Sequence, residues 1–185
     1  MKIKPIYLHS RFLPLEGFKS MTILCFVIVR MQQNLNGTWE KQKLTEREER
    51  HEIWHIWQQL CLFGLGVVCA AITHFSLWLA DVSCAWLAWA IPFILPFAIY
   101  SLCWWAEVLL PPYGKAYVDI CFESEAQFHE FDPNPCFIPF SFLLFIPNKK
   151  TPTYWGIGQE YFSFEDENRR ERLRQAHKFL RILGY

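Results

Sequence analysis

Lysine and arginine are absent from the whole stretch between Arg50 and Lys115. Acids are almost as scarce, since from residue 60 to residue 110 the only charged side chains are Asp81 and Glu107. An interval so poor in charge argues against a water-facing surface along it, because soluble elements turn polar residues outward on one side. The chain also lacks net charge, with 18 basic and 18 acidic side chains, so no overall field favours nucleic acid. Its seven cysteines include no CxxC pair, and Cys61, Cys69, Cys84 and Cys103 fall inside the uncharged run. That placement argues against a secreted disulfide framework and reads as thiols used as small hydrophobes. No glycine-rich phosphate loop, nucleophile elbow or internal repeat is present.

What the interval does have is apolar length. As one helix, residues 60–110 would reach about 76 Å, against the roughly 30 Å of a bilayer core. Two passes fit, with a first span over 60–80, a tip at 81–83 and a second span over 84–110. Asp81 and Ser83 are suited to cap the second helix at its N-terminus, and a carboxylate at a tip touches water. Trp54 and Trp57 precede the first span, Trp104 and Trp105 close the second, and Trp78, Trp86 and Trp89 flank the tip. Folding at Asp81 gathers these rings into two interfacial belts. Pro92 and Pro96 predict a kink in the second span. Gly66 with Ala70, and Ala85 with Ala88, supply small residues for close helix approach. His74 lies within the first span and is expected to hydrogen-bond to the neighbouring helix. Lys41, Lys43, Arg47 and Arg50 precede the hairpin and Lys115 follows it, which predicts cytoplasmic termini. The expected location is a bacterial cytoplasmic (inner) membrane.

Residues 45–59, TEREERHEIWHIWQQ, open a helix that leads into the first span. Thr45 with Glu48 forms a capping-box pattern. The alternating charges that follow suit a solvated face beside the headgroups. Within this stretch, HEIWH at 51–55 resembles the HExxH motif of zincin metallopeptidases. On a helix His51 and His55 stand one turn apart on one face. The resemblance implies that these two hold Zn²⁺ and that Glu52 is the general base toward water.

The first thirty residues contain an apolar run at 21–29 that is too short to span and is followed by no small-residue cleavage site. They read either as an interfacial helix or as sequence preceding a natural start at Met31. After the hairpin, Ala116, Val118, Ile120 and Phe122 alternate with more polar residues and predict a strand. Ser124 with Gln127 predicts a short capped helix. Residues 137–146, FIPFSFLLFI, predict a buried strand or a membrane-dipping loop, and 153–164 a further strand. The chain closes in a basic amphipathic helix. Its Arg169, Arg170, Arg172, Arg174, Lys178 and Arg181 are candidates for contact with anionic headgroups.

The fold class expected is therefore a membrane protein: a transmembrane helical hairpin of two spans plus a small cytoplasmic α+β tail domain. The function expected first is contact, as an accessory, assembly or immunity-type factor with a membrane-protein partner or a second copy, without catalysis, cofactor or metal. One alternative is a membrane-bound zinc metallopeptidase using His51, Glu52 and His55. The other is an oligomeric transport or channel component in which His74, Asp81 and Glu107 line a path.

Overall fold

The structure is a computed structural model of the whole chain and describes residues 3–14, 18–109, 120–131 and 137–145. The strand expected at 153–164 and the basic C-terminal helix with Arg169, Arg170, Arg172, Arg174, Lys178 and Arg181 lie outside these residues.

Among the described residues the sheet comes from the beginning of the chain. Strands β1 (Ile6–Ser10), β2 (Ser20–Ile23), β3 (Phe26–Gln33) and β4 (Trp39–Lys41) form it, in the order β1-β3-β2 with β4 added to β3. β1 runs parallel to β3, and β2 and β4 run antiparallel to it. The apolar run at 21–29 is thus a hairpin of two strands, and no interfacial helix forms there. Its tight turn places Leu24 at a positive φ of 53°. Gln59 Oε1 accepts from the Leu24 N–H at 2.6 Å and fixes that turn. β3 continues through Met31, so a chain starting there would lack β1, β2 and the Val27 and Val29 that fill the core beside Ile56.

Helix α1 (Glu46–Leu79) has 34 residues and spans about 51 Å. Thr45 and Glu48 close a capping box at its start. Its first turns are gripped on two sides. Glu52, Ile56 and Gln59 share the face toward β2 and β3. Arg47, His51, His55, Gln58 and Leu62 share the face toward a later helix, α3 (Cys121–His129). Beyond residue 62 the helix presents apolar side chains outward, and Ile72, Phe75, Trp78 and Leu79 are each more than half exposed.

α1 ends in a Schellman motif. The Asp81 N–H donates to the Trp78 carbonyl and the Val82 N–H to the Leu77 carbonyl, both at 3.0 Å, and Asp81 takes a φ of 56°. Asp81 therefore occupies the left-handed position that terminates α1, a place usually taken by glycine and tolerated by aspartate. It does not cap the next helix. That role falls to Cys84, which makes no side-chain cap bond, and Ser83 does not take it either. The chain returns through a 3₁₀ segment (Ala85–Ala90) and α2 (Ile91–Leu109). Pro92 is the second residue of α2, where no intrahelical donor is required, while Pro96 lies inside it. Small residues make the seam: Ala70, Ala85 and Ala88 are buried, and a Cβ on Gly66 would stand 2.6 Å from Pro92 Cα. α1 and the 3₁₀–α2 segment are both long and apolar enough to cross a membrane.

Helix α3 (Cys121–His129) begins before Ser124, so no strand occupies Cys121 and Phe122, and Ile120 is its N-cap. Every residue of α3 is buried. It packs against α1 and touches α2 where the Phe122 and Tyr100 rings stack at 5.7 Å, in a core shared by Leu62, Phe128 and Ile99. Residues 137–145 cover its other side as a turn and a 3₁₀ segment (Ser141–Phe145), with Phe142 against Phe122 at 4.5 Å. This apolar stretch is thus packed on α3 and is not a strand over its described part. Cys25, Cys61, Cys69, Cys84, Cys103 and Cys121 are free thiols, of which Cys121 is buried.

Candidate active site

A charged cluster fills the layer where α1 passes between the sheet and α3. His51 and His55 project from one face of α1, one turn apart. Glu123 and Glu130 are seven residues apart, two turns of helical rise, and both reach the same imidazole. His51 Nε2 lies 3.3 Å from Glu123 Oε2, His55 Nε2 lies 3.4 Å from Glu123 Oε1, and the two Nε2 atoms are 3.0 Å apart. Ligands held tetrahedrally at zinc distances are separated by about 3.3 Å, the edge of a tetrahedron with bonds near 2.05 Å. One ligand atom each from His51, His55 and Glu123 lie within 4.8 Å of one another, close enough to converge on such an ion, with His51 facing one carboxylate oxygen and His55 the other.

The outer hydrogen bonds fix which nitrogen faces inward. His51 Nδ1 donates to Glu130 Oε2 at 3.2 Å. His55 Nδ1 donates to Gln58 Oε1 at 2.9 Å. Gln58 cannot turn its amide round, because its Nε2 donates to the Phe122 carbonyl at 2.9 Å and to Glu125 at 2.7 Å. Both rings thus spend Nδ1–H on an acceptor and aim Nε2 at Glu123. Bare lone pairs on the two Nε2 atoms would repel at this distance, so the arrangement calls for a proton or a metal cation among these two nitrogens and Glu123. Carboxylate–histidine pairs of this kind orient the ligands of metal sites. Glu130 is itself held, since Arg47 Nε donates to its Oε1 at 3.0 Å and Arg50 Nε to its carbonyl at 2.7 Å.

The electrostatics favour positive charge at this point. Burial lowers the His51 pKa, but hydrogen bonds to Glu123 and Glu130 outweigh it and raise the pKa to about 10. His55 is raised too, with the charge of Glu123 overcoming its burial. Burial raises Glu123, yet the charges and hydrogen bonds of His55 and His51 carry it well below the usual carboxylate range. Glu125 also feels the charge of His55, but there burial wins. Burial pushes it up to about 7, against hydrogen bonds from Ser141 and Gln58.

Glu52, the central acid of HEIWH, points the other way round α1, toward β2. Ser20 Oγ donates to its Oε1 at 2.7 Å, and Thr22 Oγ1 donates to its Oε2. Glu52, His55 and Glu123 nonetheless share the wall of one cavity of about 300 Å³. Tyr100 of α2 reaches the same wall and donates to Glu123 Oε1 at 3.3 Å. These residues fit a divalent cation held by His51, His55 and Glu123, with a second carboxylate close by in an otherwise apolar cavity.

Of the HEIWH motif, the structure brings His51 and His55 together against Glu123, while Glu52 faces β2 across the helix. The structure adds Glu123, Glu130, Gln58, Ser20 and Thr22. The signal for the acids was their spacing on a helix, masked by the period-two alternation of 116–122. His74 stands apart from this site: its Nδ1 donates to the Ala85 carbonyl at 3.0 Å, which ties α1 to the 3₁₀ segment. Asp81 is exposed in the turn. No family model, curated protein or solved structure matches the chain.

Proposed function

We propose that the chain is a membrane-anchored, metal-dependent hydrolase that cuts amide bonds. The observation that carries this is the triangle of His51, His55 and Glu123 beside the buried Glu52, on a cavity of substrate size. A fold of this size does not need four buried glutamates (Glu52, Glu123, Glu125 and Glu130) for stability, and buried carboxylates cost free energy unless compensated. Such clusters mark functional sites. This geometry is the ground for preferring hydrolysis to the role by contact that the sequence alone favoured.

Zinc is the ion such a donor set suits, and once bound it supplies Lewis acidity toward water and a carbonyl. The protein's own part follows from its residues. Glu52 takes a proton from water as the oxygen bonds to the amide carbon. The C–N bond then breaks, and Glu52 passes that proton to the departing amine, leaving a carboxylic acid and an amine, which ionise to carboxylate and ammonium at neutral pH. Ser20 and Thr22 hold the Glu52 carboxylate in place through this cycle. Glu130 and Gln58 hold the two imidazoles.

The two apolar helices serve as the anchor. About 20 residues cross a bilayer, which matches the part of α1 after residue 60 and leaves the first turns, with the site, at the membrane surface. Lys41, Lys43, Arg47 and Arg50 lie on that side and the tip has no basic residue, so the site faces the cytoplasm.

Purified protein in detergent provides the test. One equivalent of zinc should bind, and an unstructured peptide should be cleaved by the wild type and not by Glu52→Gln, which keeps its zinc. Absence of zinc binding, or cleavage that survives Glu52→Gln, overturns the reading.

A further inference from the structure

The cavity beside the cluster has two characters. Glu52, His55 and Glu123 form a polar wall, while Phe18, Met21, Leu62, Pro96, Phe97 and Phe122 make much of the remainder. His55 to Leu62 is about 10 Å along α1. The space therefore extends from the cluster to the depth at which α1 becomes apolar on its outer side. Pro96 and Phe97 reach it from α2, the other apolar helix.

One side of the cavity is a strand. Ser20, Met21, Thr22 and Ile23, the whole of β2, line it. Among the described residues β2 pairs only with β3. The Arg30 N–H donates to the Lys19 carbonyl at 2.9 Å, and in that register Met21 and Ile23 bond to β3 while the backbone of Ser20 and Thr22 turns outward. Gln59 shows what this outer side accepts. Its amide donates to the Thr22 carbonyl at 2.9 Å and accepts from the Leu24 N–H, the two bonds a neighbouring strand would make.

Resting on the hydrolase reading above, we infer that the substrate is an extended polypeptide emerging from the membrane. It pairs with the outward backbone of β2 near Ser20 and places a large apolar side chain, of the size of Leu or Phe, between Leu62, Pro96 and Phe97. The bond that is cut then lies at the boundary between lipid and water. A lipid ester would also fill the apolar part, but it carries no amide to meet the outward N–H and carbonyl of Ser20, and that decides between the two.

Full-length protein in phospholipid nanodiscs, loaded with zinc, tests this with peptides that differ at one position beside the cleaved bond. Leu or Phe there should raise kcat/KM over Ala by about 10- to 100-fold, the range one apolar side chain supplies in a pocket. Phe97→Trp, which fills the cavity, should shrink the Phe-to-Ala ratio at least about tenfold, and Phe97→Ala should favour Trp over Phe. The ratio is internal to each variant, so a loss of folded protein does not imitate the effect. Cleavage without apolar preference, or ratios unmoved in both variants, overturns the inference and leaves the hydrolase standing. Release of fatty acid from the phospholipid with no peptide cut overturns the polypeptide substrate. Failure of wild-type protein with bound zinc to cut any peptide or ester removes the hydrolase reading itself.

Discussion

Glu123→Gln is the sharpest perturbation of the cluster. The side chain is 3 % exposed and meets three groups: His51 Nε2 at 3.3 Å, His55 Nε2 at 3.4 Å and the Tyr100 hydroxyl. Glutamine keeps the volume and one oxygen but removes the negative charge from the triangle. With zinc held at a thousandfold over its Kd, a site of this kind adds about 4 kcal/mol to the folded state. For a chain of this size each kcal/mol moves Tm by about 2–4 °C, so wild type should gain about 8–16 °C on adding zinc. Loss of a ligand weakens binding by more than the 10- to 100-fold of an outer partner, so most of that gain should vanish in Glu123→Gln. The assay is thermal unfolding in detergent micelles with and without zinc, with metal content measured on the same samples. An equal zinc-induced shift in both proteins would refute the assignment of Glu123 as a ligand, whatever its effect on activity.

Glu130→Ala should weaken zinc by about 10- to 100-fold without abolishing it, because His51 then loses the acceptor that orients its ring; competition against a zinc chelator measures this. Gly66→Val should destabilise the hairpin by about 1–3 kcal/mol, since its Cβ meets Pro92, while Gly64→Val, with open space around it, serves as the control in a denaturant titration. In protein stripped of metal, Glu125 keeps a proton when folded that it loses when unfolded between its ordinary 4.5 and about 7. Stability should therefore fall as pH rises through that window, and Glu125→Gln should flatten the slope in a denaturation series run across pH.

The apolar hairpin was legible in the sequence because its cause is local and strong: two runs almost without charge, broken at Asp81. The role of Asp81 was not. Capping side chains and the left-handed position of a Schellman motif both favour aspartate, and only the bonds to Trp78 and Leu77 tell them apart. The N-terminal sheet escaped notice because β1 and β2 are short and draw their support from α1, with Gln59 holding the turn at Leu24 and Glu52 receiving Ser20 and Thr22. A short helix from Ser124 was expected, but its start was misplaced, because Ile120 and Phe122 alternate with polar residues and read as the end of a strand. Buried on all sides, α3 carries no amphipathic stripe to reveal a helical period. Of the site, the His51–Glu52–His55 motif could be read from spacing alone. Its partner Glu123 could not, since the whole hairpin separates it from His55 and contact is made only by folding α3 back onto the start of α1.

The histidines and the apolar run of α1 stand on one unbroken helix, with no joint between Thr45 and Leu79. In the anchored hydrolase proposed above, the site is consequently mounted at a set height above the lipid, like a blade on a rigid post. Thickening or thinning the bilayer tilts or lifts the whole post, and the place along an emerging chain that meets the blade shifts with it.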